Sequence, residues 1–264
     1  MSSRGDLKVT IAGLEFFGRG LQAGTTPELV LKPRGFKGWT DGVDMRLDDS
    51  AIPNQHGSYD RQAYRSARVV SLDSYALTDS NAKLQQIGER VTGLLSGGEL
   101  GRIEVVQNGE TRWADCRLAS KTKFEEIARD TAEVQVQVWC PDPRKFGDVW
   151  TYTATVGGGV VPGVRHFGNA EATPQFVVAG DMPGGYRLTF RGENFHVIWP
   201  LVSGQPHTID YADGQLWVGG VRIHGGLGIT NTPTLPGGVV TALGVVPLTT
   251  GTGTATLKLF DTYI

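Results

Sequence analysis

Apolar and polar positions alternate along this chain with two periods, and the shorter one dominates. Leu7-Lys8-Val9-Thr10-Ile11 switches character at every residue, which predicts a half-buried strand. Arg65–Leu72 reads as a strand with a less regular pattern, and Ala132–Cys140 as a regular one, with Val134, Val136 and Val138 set against Glu133, Gln135 and Gln137. One stretch carries the helical period. Leu84, Ile87, Val91, Leu94 and Leu95 fall on one face of a helix over about residues 80–96, with Asp79 or Ser80 to cap it and Gly97-Gly98 to stop it. A hairpin follows, Arg102–Gln107 and Thr111–Ser120 joined at Asn108-Gly109. The first part of the chain therefore reads as an α+β domain of antiparallel strands with one helix.

Beyond residue 148 no helical period is found. Strands are predicted at Thr151–Val156, Gln175–Ala179, Tyr186–Arg191, Asn194–Trp199, His207–Tyr211, Gln215–Val218, Val239–Val246 and Thr254–Phe260. Pro183-Gly184-Gly185, Arg191-Gly192-Glu193, Asp213-Gly214 and Pro236-Gly237-Gly238 supply the turns between them. Short strands at this spacing predict a β-sandwich.

Composition divides the chain at the same place. Residues 1–148 hold 20 Lys and Arg and 21 Asp and Glu, whereas residues 149–264 hold 5 and 6 but 21 of the 37 glycines. Two domains with different surfaces follow, 1–148 and 149–264. The boundary is expected near Pro141–Asp148, where Pro141 and Pro143 stop a strand.

Charge and hydropathy narrow the function. A net charge of −2 provides no general basic field for nucleic acid, and the interspersed acids and bases offer no basic groove. No apolar run is long enough to cross a bilayer, so no membrane insertion is expected. The first residues lack the apolar stretch of a signal peptide, which makes assembly in the cytoplasm the default expectation. In that compartment Cys116 and Cys140 read as two small buried hydrophobes, although paired strands would let them face each other.

The motifs of catalysis and cofactor binding fail one by one. Gly18-Arg19-Gly20-Leu21-Gln22-Ala23 has the spacing of a dinucleotide fingerprint, but Gly24-Thr25-Thr26-Pro27 follows where a helix must start. The five histidines, His56, His166, His196, His207 and His224, are too far apart for a local metal motif. The acid pairs Asp48-Asp49 and Glu125-Glu126 read as solvated faces. No cofactor, metal or catalytic residue is predicted, and the chain is expected not to be an enzyme. Trp199 and Trp217 fall in predicted strands, where filling the core is favoured about three to one over stacking on a sugar.

Two segments carry a resemblance. Ile52-Pro53-Asn54-Gln55-His56-Gly57-Ser58-Tyr59-Asp60 precedes a basic strand, and Val136-Gln137-Val138-Trp139-Cys140-Pro141-Asp142-Pro143 closes the domain with Phe146-Gly147 just after it. Their order, with the helix and hairpin between them, resembles the N-terminal domain of siphophage distal tail proteins, the Dit family. Gly168-Asn169-Ala170 with Pro174, Ile209-Asp210 and Asp213-Gly214 look like the galectin-like, jelly-roll type C-terminal sandwich of that family. Arg68-Val69-Val70 departs from the Gly-led strand expected there, and Thr249–Thr254 is unusually simple in sequence.

The resemblance implies a virion protein of the tail tip. It implies a hexameric ring built mainly by the first domain, with the tail tube protein, a tail-associated hub protein, and possible receptor-binding and tape-measure proteins as partners. DNA would pass through such a ring without being read. Asn54, His56, Gly57, Asn108, Gly109, Asp142 and Pro143 become candidate ring-interface or motif residues. A carbohydrate- or host-surface-binding module using Trp199 or Trp217 is the alternative. A tube or hub component ranks third and an enzyme last.

Overall fold

The structure, a computed structural model, describes residues 7–18, 28–47, 49–228 and 233–264. The fingerprint-like stretch 19–23 and Asp48 lie outside the described residues. The chain divides into two compact units, one running to Lys145 and including Ile264, the other spanning Phe146–Tyr263.

The first unit contains β1 (Leu7–Ile11), β2 (Leu14–Phe17), β3 (Leu29–Lys37), β4 (Met45–Arg46), β5 (Tyr64–Arg65), β6 (Arg68–Leu77), α1 (Asn81–Thr92), β7 (Gly101–Gln107), β8 (Glu110–Leu118), β9 (Lys123–Ala128) and β10 (Thr131–Cys140). Seven strands follow one another in the order β8-β7-β1-β2-β3-β6-β10. The last returns to the first through Val138↔Leu118 and Trp139↔Arg117, so the sheet closes into a barrel. The expected antiparallel sheet is thus corrected in two ways: it is closed, and β2 runs parallel to β3. Alternation states which face is buried but not which strands meet.

The barrel lining comes from that alternation. Val70, Leu72 and Ala76 of β6 and Ala132, Val134, Val136, Val138 and Cys140 of β10 all point inward, and Val136 lies opposite Leu72 in the ten-residue ladder between the two strands. Each fully buried Val or Leu among them contributes about 1.5–3 kcal/mol relative to exposure. The pattern carries β6 five residues past its expected end at Leu72, because Ser74 is small enough to sit buried in the sequence of inward positions. Cys116 and Cys140 are free buried thiols, and burial raises them to about 11 and about 12.

Helix α1 ends at Thr92, earlier than the spacing predicts. Leu94 and Leu95 are still buried, but Leu95 turns to φ 47° and contributes from the turn rather than from the helix. The expected cap is also corrected. Ser80 is the N-cap residue but makes no side-chain cap bond, and Asp79 pairs with Lys83 at 2.6 Å instead. The buried helix face meets β9, where Gly88 leaves room for the Phe124 ring: a Cβ there would lie 3.0 Å from it.

The second unit contains β11 (Lys145–Thr155, which starts on the last residue of the first unit), β12 (Val161–Val164), β13 (Gln175–Asp181), β14 (Tyr186–Phe190), β15 (Glu193–Val197), β16 (His207–Asp210), β17 (Gln215–Val218), β18 (Val221–Ile223), β19 (Thr241–Pro247) and β20 (Thr252–Tyr263). One sheet runs β18-β17-β16-β13-β20-β11 and the other β12-β19-β14-β15. They meet over a common core, where Phe176 of the first sheet contacts Phe190 of the second edge-to-face at 5.8 Å.

Candidate functional site

Two features stand apart from the cores: an excursion between β3 and β6 in the first unit, and the tryptophans of the second. The excursion is a long hairpin. Met45 and Arg46 pair with Arg65 and Tyr64, Ala51 bridges Ser58, and Tyr59 N–H donates to the Ser50 carbonyl at 3.0 Å. Its tip turns through Asn54 at φ 60° and Gly57 at φ 101°, which places Asn54, His56 and Gly57 at the far, exposed end. Among the described residues from 40 to 67 none is buried, and Met45, Leu47, Tyr59 and Tyr64 expose half or more of their surface.

A charged knot anchors this arm. Arg68, 2% exposed at the start of β6, donates from Nη1 to the carbonyls of Gly38 at 2.7 Å, Trp39 at 3.2 Å and Asp41 at 3.0 Å, and from Nε to Pro143 at 2.9 Å. Buried Lys145 donates to the same Trp39 carbonyl at 3.0 Å. Burial, and then the nearby Arg68 and Arg112 cations, lower the Lys145 ammonium to about 8, with Asp41 opposing. Gly38 lets the chain turn there: its φ is +82°, and a Cβ would lie 2.0 Å from the Val69 carbonyl oxygen.

The sequence candidates separate into two groups on this frame. Pro143 braces the knot through its carbonyl, and Asp142 accepts from Arg144 N–H at 3.0 Å and Nη2 at 2.7 Å, so both shape the exit of β10. Asn108 and Gly109 form the expected tight turn, at φ 54° and 81°, with Gln107 opposite Glu110. The turn shares a cleft with the arm's root, lined by Trp39, Thr40, Gln107, Asn108, Arg112 and Lys145. Sequence reasoning missed Arg68 and Lys145. A charged residue in register with inward positions was the available signal.

In the second unit the expectation that the tryptophans fill the core is overturned. Trp199 is 43% exposed and Trp217 half-buried, and neither belongs to the core cluster. β15 ends at Val197, which takes Trp199 out of the strand predicted for it. Trp217 is on β17, and its indole Nε1 donates to Asp213 Oδ2 at 3.3 Å. Two histidines are structural. His166 holds the Leu235 carbonyl through Nε2 at 2.9 Å and accepts from Gly168 N–H, while His207 Nδ1 meets the Tyr186 hydroxyl at 3.1 Å.

No family model matches the chain, and no curated protein does. Solved structures do. The SPP1 Dit protein, described as a paradigm of the hub adsorption apparatus in phages infecting Gram-positive bacteria, superposes with a TM-score of 0.72 at 16% identity, covering 98% of this chain and 99% of that one. A chain of the phage P2 baseplate in its activated conformation with calcium gives 0.50 at 9% identity, covering 95% and 97%. At these identities the likeness concerns the fold, and it extends over both units: this chain has the fold of a Dit-type phage tail protein.

Proposed function

We propose that the chain is a structural component of a phage tail tip, assembling into a ring that joins the tail tube to the hub and receptor-binding proteins. The observation that carries this reading is the arm over residues 40–67, none of whose described residues is buried and which exposes Met45, Leu47, Tyr59 and Tyr64. A lone two-stranded hairpin is marginal in water, and apolar groups grouped on it require a second surface. A neighbouring copy supplies one, through the unlike patches that a closed ring needs. Asn54, His56 and Gly57 at the arm's tip and the Asn108-Gly109 turn are the contact residues we assign, with Asp142 and Pro143 fixing the base. The fold shared with SPP1 Dit supports this role and, with it, a hexamer at the virion tail tip and a mechanical rather than catalytic task. The second unit, read as a galectin-type sandwich, is left for other tail proteins or the host surface.

Light scattering on the eluting full chain, followed by negative-stain microscopy, tests the proposal. A six-fold ring is expected. Monomers at every concentration up to about 100 μM, a range in which even weak specific interfaces associate, would overturn it.

A further inference from the structure

Cys116 and Cys140 lie across from each other where the barrel closes. The ladder between β8 and β10 pairs Leu118 with Val138 and Arg117 with Trp139, and one further step in that antiparallel register sets Cys116 opposite Cys140. Side-chain direction agrees. Ala114 and Cys116 face the core along β8, with Leu118 packed against it, and Val136, Val138 and Cys140 face it along β10. Both cysteines are fully buried.

The hydrogen bonds fix the kind of pair the two cysteines make. Ala119 N–H donates to the Gln137 carbonyl at 2.9 Å, so Ala119 and Gln137 are a hydrogen-bonded pair. The two kinds of pair alternate along an antiparallel ladder. Leu118 and Val138 are therefore non-hydrogen-bonded, Arg117 and Trp139 hydrogen-bonded, and Cys116 and Cys140 non-hydrogen-bonded again. At such positions the Cα atoms approach to about 4.5 Å, within the span of about 4.4–6.8 Å that a disulfide bridges. Among the described residues no group of three His, Cys, Asp or Glu side chains could hold a metal, which leaves the thiols to react with each other.

We propose that Cys116 and Cys140 form an intramolecular disulfide in an oxidising environment, and that the bond staples the barrel at its seam. The oxidant is a small disulfide such as oxidised glutathione. One cysteine attacks it as the thiolate and releases a first glutathione, and the second cysteine attacks the mixed disulfide and releases the other. The cysteines lose two electrons, and their two protons go to the released glutathione thiolates. Access is the slow step. Burial raises the thiols to about 11 and about 12, with Asp115 adding to the first and Cys116 to the second, so exchange waits for the seam to open and admit water. The seam ladder is short, and it can part while the ten pairs between β10 and β6 hold. Reclosing then brings the second thiol against the mixed disulfide. Such a bond suits a protein made among reducing thiols and used outside the cell, and it stands whether or not the chain forms a ring.

The test uses the full chain, purified under reductant, incubated folded at pH 8 with oxidised glutathione, then quenched in urea with N-ethylmaleimide and weighed. The expected product takes up no maleimide and, before quenching, is about 2 Da lighter than the reduced chain. A digest should join the peptides holding Cys116 and Cys140 within one chain. The urea midpoint, read by hydrogen exchange on peptides covering 68–77, should rise by roughly 1 M, and dithiothreitol should reverse the rise. Cys116→Ala and Cys140→Ala should each take up at most one glutathione and show no rise. If neither variant folds, the wild-type digest and midpoint carry the test. Two maleimides retained after days of folded incubation, with the bond forming only in urea, overturn the proposal. So do lasting glutathione adducts on both cysteines, disulfide-linked dimers in place of the internal bond, or an internal bond that leaves the midpoint unchanged or lowers it.

Discussion

Arg68 and Lys145 donate to one acceptor, the carbonyl oxygen of Trp39, at 3.2 and 3.0 Å, although both are cations and both are buried. Two like charges this close are costly in a low-dielectric site. They persist because Arg68 also donates to three further carbonyls where the chain leaves β3 and β10. Replacing Arg68 by Met removes those donors while keeping most of the volume. Each stranded carbonyl costs about 1–3 kcal/mol, so the loss should be several kcal/mol. Hydrogen exchange read on peptides covering 68–77 should show early opening, while peptides covering 207–218 in the second unit stay protected. Unchanged exchange at 68–77 would contradict the bracing role.

Lys145 gives the first unit a pH signature. Its folded value near 8 lies below the ordinary lysine value of 10.5, so between these limits the unfolded chain binds more protons and stability rises with pH. The destabilisation is present in full below pH 8 and is relieved as the ammonium loses its proton. Cys116 and Cys140 act in the opposite sense, since burial raises both thiols above 9 and stability falls as the unfolded thiols ionise. The quantity to measure is therefore the difference between wild type and Lys145→Met in urea midpoint at pH 7, 8 and 9. That difference should shrink with rising pH, and a constant one would show that Lys145 is not destabilised by its charge.

Gly38 and Gly57 both have positive φ, yet they should respond differently to alanine. At Gly38 the new Cβ meets the Val69 carbonyl oxygen at 2.0 Å, whereas at Gly57 nothing lies within 4 Å. Gly57→Ala pays only the local backbone penalty, about 1 kcal/mol, confined to the arm's tip. Gly38→Ala adds a backbone clash beside the Arg68 knot and should cost upwards of about 3 kcal/mol. Comparable urea midpoints for the two variants would mean that the root of the arm adapts freely.

The contrast bears on what the sequence made legible. Strands whose inward positions alternate without interruption were readable, as in β1, β10 and the Asn108-Gly109 hairpin, because period and turn chemistry are local. Strand β3 was not: Lys32, Pro33, Arg34 and Gly35 interrupt its apolar run, and its ladder with β6 shifts register between Leu31 and Phe36. Barrel closure was illegible for a different reason, since it depends on the long-range meeting of β8 and β10. The candidate site divides in the same way. Asn108 and Gly109 were found from local turn rules and Asn54 and Gly57 from the resemblance, but the knot joins Arg68 to partners 27 to 75 residues away. Trp217 was assigned to the core because a tryptophan in a strand has two faces to choose from, and only the buried Leu216 beside it decides which.

In the second unit, acid should act through His207. The ring is fully buried on β16, its Nδ1 meets the Tyr186 hydroxyl, and burial lowers its pKa from 6.5, with the Pro200 carbonyl opposing. Below pH 6.5 the unfolded chain takes up a proton that the folded one refuses, so the stability held by neutral His207 is lost as pH falls. His207→Gln keeps a polar partner for Tyr186 and cannot titrate. Hydrogen exchange at pH 7 and pH 5, corrected for intrinsic rates, should show β13 and β16 losing more protection in wild type than in His207→Gln. Carboxylates protonating over the same range affect both proteins alike and cancel in the comparison. An equal loss of protection in the two would mean that acid unfolds this unit by another route.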